Sequence, residues 1–378
     1  MVFEIPLVPI AVVLARLVVP LFIPAYPLPA ILAAMVLDGV DQTIFSATLD
    51  SDLAGYQTYD KALDVYYLAI AYVSTIANWV GGPAFVVGRF LWYYRLVGVA
   101  LFESTGARWL LFVFPNTFEY YFDAIEAFRV ARNPTRLTLR AVVITAAVIW
   151  IFIKLPQEWW IHIAQLDFTD FMKETVFGVP ASSSWTDAIA ASPMVAIGLV
   201  VGAAALIALA WWAARRFLPP ADWPPTFSAD RQAEHIGWPP RPREASPAAA
   251  FDRTFVEKVI LLSLVVFIFS RMLPGIEGSP VQVALAVVLI IGASTLVSHW
   301  LARHAVRWTS IGVEFAVMTV VNAAIGIAIG ILLAGDGPAL PVLEFVFLTA
   351  VVSLIVVLYD RSIQIARARR DLEPARPG

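Results

Sequence analysis

Between Asp187 and Arg215 the chain carries no charged side chain, and apolar stretches of similar length recur along its 378 residues. A run of about 20 apolar residues is what an α-helix needs to cross a bilayer. In lipid every backbone N–H and C=O must be satisfied within the segment, so such a run is expected to be helical. About eleven runs qualify, near residues 6–24, 28–47, 60–80, 83–103, 108–127, 138–156, 187–213, 254–273, 280–302, 309–334 and 339–359. Hydrophobic residues make up 60% of the chain and charged residues 15%, and the mean hydropathy is +0.77; both lie outside the range of soluble domains. The expected fold is therefore all-α: a polytopic integral membrane protein with about eleven transmembrane helices.

Four regions are expected. Residues 1–156 form a six-helix membrane core. Residues 157–213 hold an interfacial helix, marked by Trp159 and Trp160 and by the mixed polarity after them, followed by a seventh span. Residues 214–253 form a polar linker whose Pro-Pro pairs at 219–220, 224–225 and 239–240 cannot continue a helix. Residues 254–378 form a four-span C-terminal region with a basic tail. Small-residue packing faces are expected at Gly198/Gly202 and at residues 326–330. The N-terminal MVFEIPLVPI lacks the basic stretch and cleavage site of a secretory leader, so it reads as retained.

Arginines concentrate at 129–140, in the linker, at 303 and 307, and in the tail. With the spans above, all four groups fall on one side. The positive-inside rule makes that side cytoplasmic, in a membrane read as a bacterial plasma membrane. The loop at 48–58 then lies on the other side.

Polar residues inside such helices are expensive and mark functional sites. Asp38 and Asp41 lie three apart in one span, and Asp60 and Asp64 four apart in the next. Residues at these spacings share a helix face. Two antiparallel helices would bring the pairs together into a pocket of carboxylates, a set suited to hard divalent cations such as Mg²⁺ or Mn²⁺. A leftover carboxylate in such a pocket would be free to act as a general base. Asp50 and Asp52 read as ordinary loop acids.

These acids resemble the signature of the CDP-alcohol phosphotransferase family, D-x2-D-G-x2-A-R-x8/9-G-x3-D-x3-D. Asp38 and Asp41 match its first two acids, and Asp60 and Asp64 its last two. The stretch ARLVVPLFI at 15–23 is similar to the family's first helix, and six spans up to residue 156 match its core in number. The resemblance implies that Asp38, Asp41 and Asp60 hold two metal ions, Mg²⁺ or Mn²⁺. It further implies that Asp64 is the catalytic base, and that a lipid-type alcohol displaces CMP from a CDP-linked donor. The chain departs from the signature at Gln42, Phe45, Ser46 and Tyr56, where the family has glycine, alanine, arginine and glycine. The competing expectation is non-enzymatic: a transporter, or a structural subunit of a membrane complex or homo-oligomer, that reuses the scaffold.

Arginines within spans need partners. Arg16 is expected to reach a headgroup or the acidic pocket. Arg95, and less so Arg89, is expected to pair with the same acids, while Arg95 and Arg108 are candidates for contacting a substrate phosphate. The fifth run breaks at Pro115-Asn116 and then sets Glu119, Asp123 and Glu126 on one face. That stripe is expected to lie outside the membrane as a solvated face; the alternative is an ion or proton route. Glu314, Asn322 and Glu344 are expected to hydrogen-bond between helices. The histidines at 162, 235, 299 and 304 lack zinc-ligand spacing, and the chain has no cysteine. Glycine-rich phosphate loops and nucleophile elbows are missing, and nucleic-acid partners are not expected.

Overall fold

The structure, a computed structural model, describes residues 7–48, 54–79, 82–241, 253–272, 280–303, 310–334 and 342–370. Every regular element among them is helical. The order is α1 (Leu7–Val18), α2 (Pro27–Thr48), α3 (Ala54–Asn78), α4 (Pro83–Thr105), α5 (Trp109–Val113) and α6 (Thr117–Arg129). Then come α7 (Leu139–Ile163) and α8 (Phe168–Phe171), which runs on into a wide turn at Met172–Phe177. The remaining helices are α9 (Trp185–Ala191), α10 (Pro193–Phe217), α11 (Ala229–His235), α12 (Arg253–Met272), α13 (Pro280–Arg303), α14 (Ile311–Ala334) and α15 (Val342–Arg370).

All eleven apolar runs contribute helix, the fifth as the broken pair α5 and α6. Five helices among the described residues combine the length and apolarity to cross a membrane: α4, α7, α10, α14 and α15. The expected count of about eleven is thus not met on those terms. α1 has only 12 residues. α3 carries Asp60, Lys61 and Asp64, and α12 carries Arg253, Glu257, Lys258 and Arg271.

The bundle is built around α3. From Ala62 to Trp79 all its side chains but Asp64 are buried, with α1, α2, α4, α12 and α15 packed around it. Its sequence, ALDVYYLAIAYVSTIANW, has no polar stripe to turn outward, and a helix apolar all round is a buried one. Its few polar atoms therefore need internal partners. Ser74 and Thr75 donate back to Ala71 O and Tyr72 O, at 2.7 and 2.6 Å. Tyr66 donates to Leu17 O at 2.9 Å, and Tyr72 to Glu257 of α12.

The expected division at the linker is corrected here. α12 and α15 pack on α3, so the C-terminal region completes the same bundle. Lys258 of α12 grips Asp360 of α15 with 2.9 and 3.1 Å contacts, Glu314 pairs with Arg361 at 2.7 Å, and Asn322 donates to Ser353 at 2.9 Å. Nor does the linker hang free. Asp222 and Thr226 donate their backbone N–H groups to Ala131 O and Val130 O, each at 2.8 Å, and Ala229 donates to Ala25 O at 2.9 Å. The arginine-rich loop after α6, the linker and the end of α15 thereby gather at one end of the bundle. α2 starts at that end and α3 finishes there, since Asn78 Nδ2 donates to Pro24 O at 3.2 Å.

Residues 157–163 belong to α7 rather than to a separate interfacial helix. α10 is exposed along its whole length. A Cβ on Gly198 or Gly202 would meet open space, so that expected packing face is unused among the described residues. Gly326 behaves as expected, its missing Cβ lying 2.8 Å from Phe345 Cζ. Gly98 is tighter still: a Cβ there would sit 2.1 Å from Phe114 Cβ, so only glycine lets α4 approach the break between α5 and α6.

Candidate functional site

α1, α2 and α3 meet at Arg16. Its guanidinium bonds Asp41 and Asp38 of α2, and reaches Asp64 Oδ1 of α3 at 2.9 Å. Arg16 and Asp41 are buried, while Asp38 and Asp64 are partly open. The antiparallel course of α2 and α3 makes this possible. Eleven residues separate Pro27 from Asp38 and fourteen separate Asp64 from Asn78, placing both acids about 16–21 Å from the arginine-rich end. Three of the four expected acids therefore converge. Asp60 lies on α3, but its side chain is outside the described residues, as are Asp50 and Asp52.

The donors, carboxylate oxygens, are the right type for Mg²⁺ or Mn²⁺. Their arrangement does not fit such an ion, because a fixed guanidinium stands among them and a divalent cation would have to sit against it. Among the described residues no cluster of three or more acidic or histidine side chains is arranged around a metal-sized space.

One turn beyond Asp64, Tyr67 donates to Glu119 of α6. Here the sequence expectation is overturned: the acidic stripe of α6 faces the interior. Glu119 also accepts from Lys154 Nζ of α7 and from Asn116 Nδ2, both at 3.1 Å. Lys154 is buried, 3.8 Å from the centre of the Tyr120 ring. It closes the wide turn Ile149–Lys154, a helix irregularity frequent at functional sites. Farther along α6, Glu126 is fully buried and accepts from Trp79 Nε1 at 2.6 Å and Arg129 Nη1 at 2.5 Å. Asp123 lies between Glu119 and Glu126; its Oδ1 and Glu126 Oε2 are buried with no hydrogen-bond partner.

The stripe points inward because of the break at Pro115. Pro115 cannot donate to the helix, so α6 restarts at Thr117 with its own rotation. The groups freed by the break are satisfied locally. Arg95 Nη1 donates to Phe114 O at 3.0 Å, Tyr94 to Val113 O at 3.0 Å, and Asn116 N to Glu158 Oε1 at 3.0 Å. Glu158 also pairs with His162 at 3.0 Å. Arg95 thus caps the break instead of joining the acidic pairs, and Arg108 is an exposed group contacting Gln165 at 3.3 Å. Arg89 finds Glu257 at 3.8 Å. None of the three arginines reaches the Arg16 cluster in these contacts.

The result is a chain of polar groups running along α3 from Asp41 and Asp64 through Tyr67 and Glu119 to Asp123 and Glu126. From Asp64 to Trp79 it covers about 22 Å of helix rise, most of a hydrocarbon core. Its described carboxylates are Asp38, Asp41, Asp64, Glu119, Asp123 and Glu126; its cations are Arg16, Lys154 and Arg129. Asp41, Glu119 and Glu126 are buried with the cations Arg16, Lys154 and Arg129, and Asp123 has no ion-pair partner among the described residues. Glu119, Asp123 and Glu126 were visible in the sequence by their spacing, but Lys154 and Tyr67 carried no such signal. No known protein family, curated protein or solved structure matches this chain.

Proposed function

We propose that this protein moves protons, or a solute coupled to them, through the acidic chain between Asp41 and Glu126, and is not an enzyme. The observation that carries this reading is Asp123, which lies between the buried pairs Glu119–Lys154 and Glu126–Arg129 with an Oδ1 that is buried and has no partner among the described residues. Paired charges used only as interhelical glue tend to balance, because each uncompensated charge in a low-dielectric interior costs several kcal/mol. An acid placed between two such pairs without a cation of its own is suited to taking up a proton, and acids set beside lysine and tyrosine are the parts from which membrane proton relays are made. Arg16 serves as the fixed internal counter-ion. The arginine-bearing end, with the linker and tail, is assigned to the cytoplasm of a bacterial plasma membrane.

Asp123 provides the test, because it is the acid of the chain without an ion-pair partner among the described contacts. In proteoliposomes carrying an imposed potential and an internal pH dye, Asp123→Asn is expected to reduce proton flux by about tenfold or more. Thermal stability should stay level or rise, since a buried orphan oxygen is replaced by a neutral amide. Wild-type flux in the variant, or no flux above empty liposomes in the parent, removes the reading.

The convergence of Asp38, Asp41 and Asp64 favours a second reading: a divalent-metal phosphotransferase of the CDP-alcohol type acting on a lipid. Because Arg16 stands among these carboxylates, this reading requires it to leave. Anomalous scattering from crystals soaked in Mn²⁺ should then show a peak beside Asp38 and Asp41, lost in Asp60→Asn. A wild-type crystal without that peak rules this reading out.

A further inference from the structure

At the arginine-rich end, three guanidiniums from distant parts of the chain come together. Arg129 ends α6, Arg241 closes the described part of the linker, and Arg369 lies in the last turn of α15. Arg129 and Arg369 are each only 1% exposed. Burial on this scale requires a full set of acceptors, because each guanidinium carries five N–H donors. The set is incomplete. Arg369 Nη1 donates to Ala77 O at 2.6 Å, but its Nε and Nη2 are buried without a partner. Arg129 is held by Glu126 through Nη1, and its Nε is likewise without a partner. Arg241 reaches Pro24 O, Asn78 Oδ1 at 3.2 Å and Asp230 at 3.0 Å.

Charge is as unbalanced as hydrogen bonding. Among the described residues three guanidiniums face two carboxylates, Glu126 and Asp230, and Glu126 already accepts from Trp79. Burial holds Arg241 below the ordinary arginine range; Asp230 pulls it back up, and the like charge of Arg129 pushes it down again.

There is also room for a ligand. A cavity of about 100 Å³ is lined by Arg129 together with Asn78, Trp79, Thr135 and Trp238, and Arg241 lines a second one of about 200 Å³ with Pro24 and Ala77. The Arg369 guanidinium lies 5.3 Å from the centre of the Trp238 ring, and its partner Ala77 adjoins Asn78.

The geometry points to a binding site for a phosphate group in the cavity lined by Arg129, Asn78 and Trp238, with Arg241 bonded to Asn78 and Arg369 over the Trp238 ring adding their charge. A phosphate there offers an acceptor to Arg129, whose Nε lacks one among the described residues, and its charge offsets the guanidiniums of Arg241 and Arg369 beside it. Arginine's planar fork matches phosphate oxygens in pairs. Basic pockets between membrane helices take anionic lipid headgroups in this way, and free phosphate offers the same chemistry.

The test uses the full chain in neutral detergent, with thermal midpoint and native mass spectrometry as readouts. Phosphatidylglycerol, phosphatidylcholine and inorganic phosphate are titrated separately. The expected result is a saturable rise in midpoint with phosphatidylglycerol or with inorganic phosphate, and none with phosphatidylcholine. A response to the lipid alone identifies a headgroup site; a response to both identifies a site for phosphate as such. Arg369→Gln should weaken the response by about tenfold, the loss of one positive charge beside the cavity. Without anion, the same variant should be at least as stable as the parent, since it removes a repelling charge. Arg215→Gln on exposed α10 should leave the response unchanged. The proposal is overturned if neither phosphatidylglycerol nor inorganic phosphate raises the midpoint, or if phosphatidylcholine raises it equally. It is equally overturned if Arg369→Gln lowers stability by the same amount with and without anion, the mark of a purely structural role.

Discussion

Arg16→Ala is expected to destabilise the bundle by about 3–5 kcal/mol, the usual penalty for removing one partner from a buried ion pair. Asp41 is fully buried against the guanidinium, and Asp38 and Asp64 share it. Truncation would leave three acids facing one another where α1, α2 and α3 meet. α1 has little else polar to fix its position, so its docking should fail first. The comparison that isolates the cause is Arg16→Gln with and without Asp41→Asn. The second change should recover more than half of the loss, because it removes the stranded charge and not a packing contact. Unfolding in mixed micelles at increasing sodium dodecyl sulfate fraction gives the ranking. Wild-type stability in Arg16→Ala would mean that the cluster is hydrated and contributes little.

Lys258→Met should have an effect of the same order, for a reason that bears on the architecture. Lys258 and Asp360 are both largely buried and join α12 to α15, which together cover one side of α3. Methionine keeps the bulk of the lysine stem and removes the charge, leaving Asp360 uncompensated at about 3–5 kcal/mol. Asp360→Leu in the same chain should return most of that stability, since an apolar pair of similar volume replaces a buried ion pair at little cost. Limited proteolysis gives a second readout: in the single variant, α12 and α15 should become cleavable while α4 and α7 stay protected. The exposed pair Arg136 and Asp222 is the control. Breaking it should change stability by no more than about 1 kcal/mol.

Apolar run length made the helices legible, and each run did form helix. It could not separate helices that face lipid from helices wrapped in protein, because both are apolar all round. α10 and α3 illustrate this: one is exposed throughout and the other buried, though both read as spans. The stripe on α6 was legible as a stripe, yet its direction depended on how the helix restarts after Pro115. Arg95 was expected among the acids because both were charges in need of partners. Its actual acceptor, Phe114 O, is a backbone group freed by the break, which side-chain identity does not reveal.

The sequence by itself determined an all-helical chain with helices long and apolar enough to cross a membrane, a shared face for Asp38 and Asp41, and a polar stripe at Glu119, Asp123 and Glu126. These follow from helical periodicity and from the need to satisfy every backbone group in lipid, both local matters. Only the tertiary structure decided that Arg16 stands among the acids, that Tyr67 and Lys154 join them to α6, and that Arg129, Arg241 and Arg369 crowd one end. The physical reason is that a buried charge is settled by whichever groups packing brings within about 3–4 Å, wherever they lie along the chain.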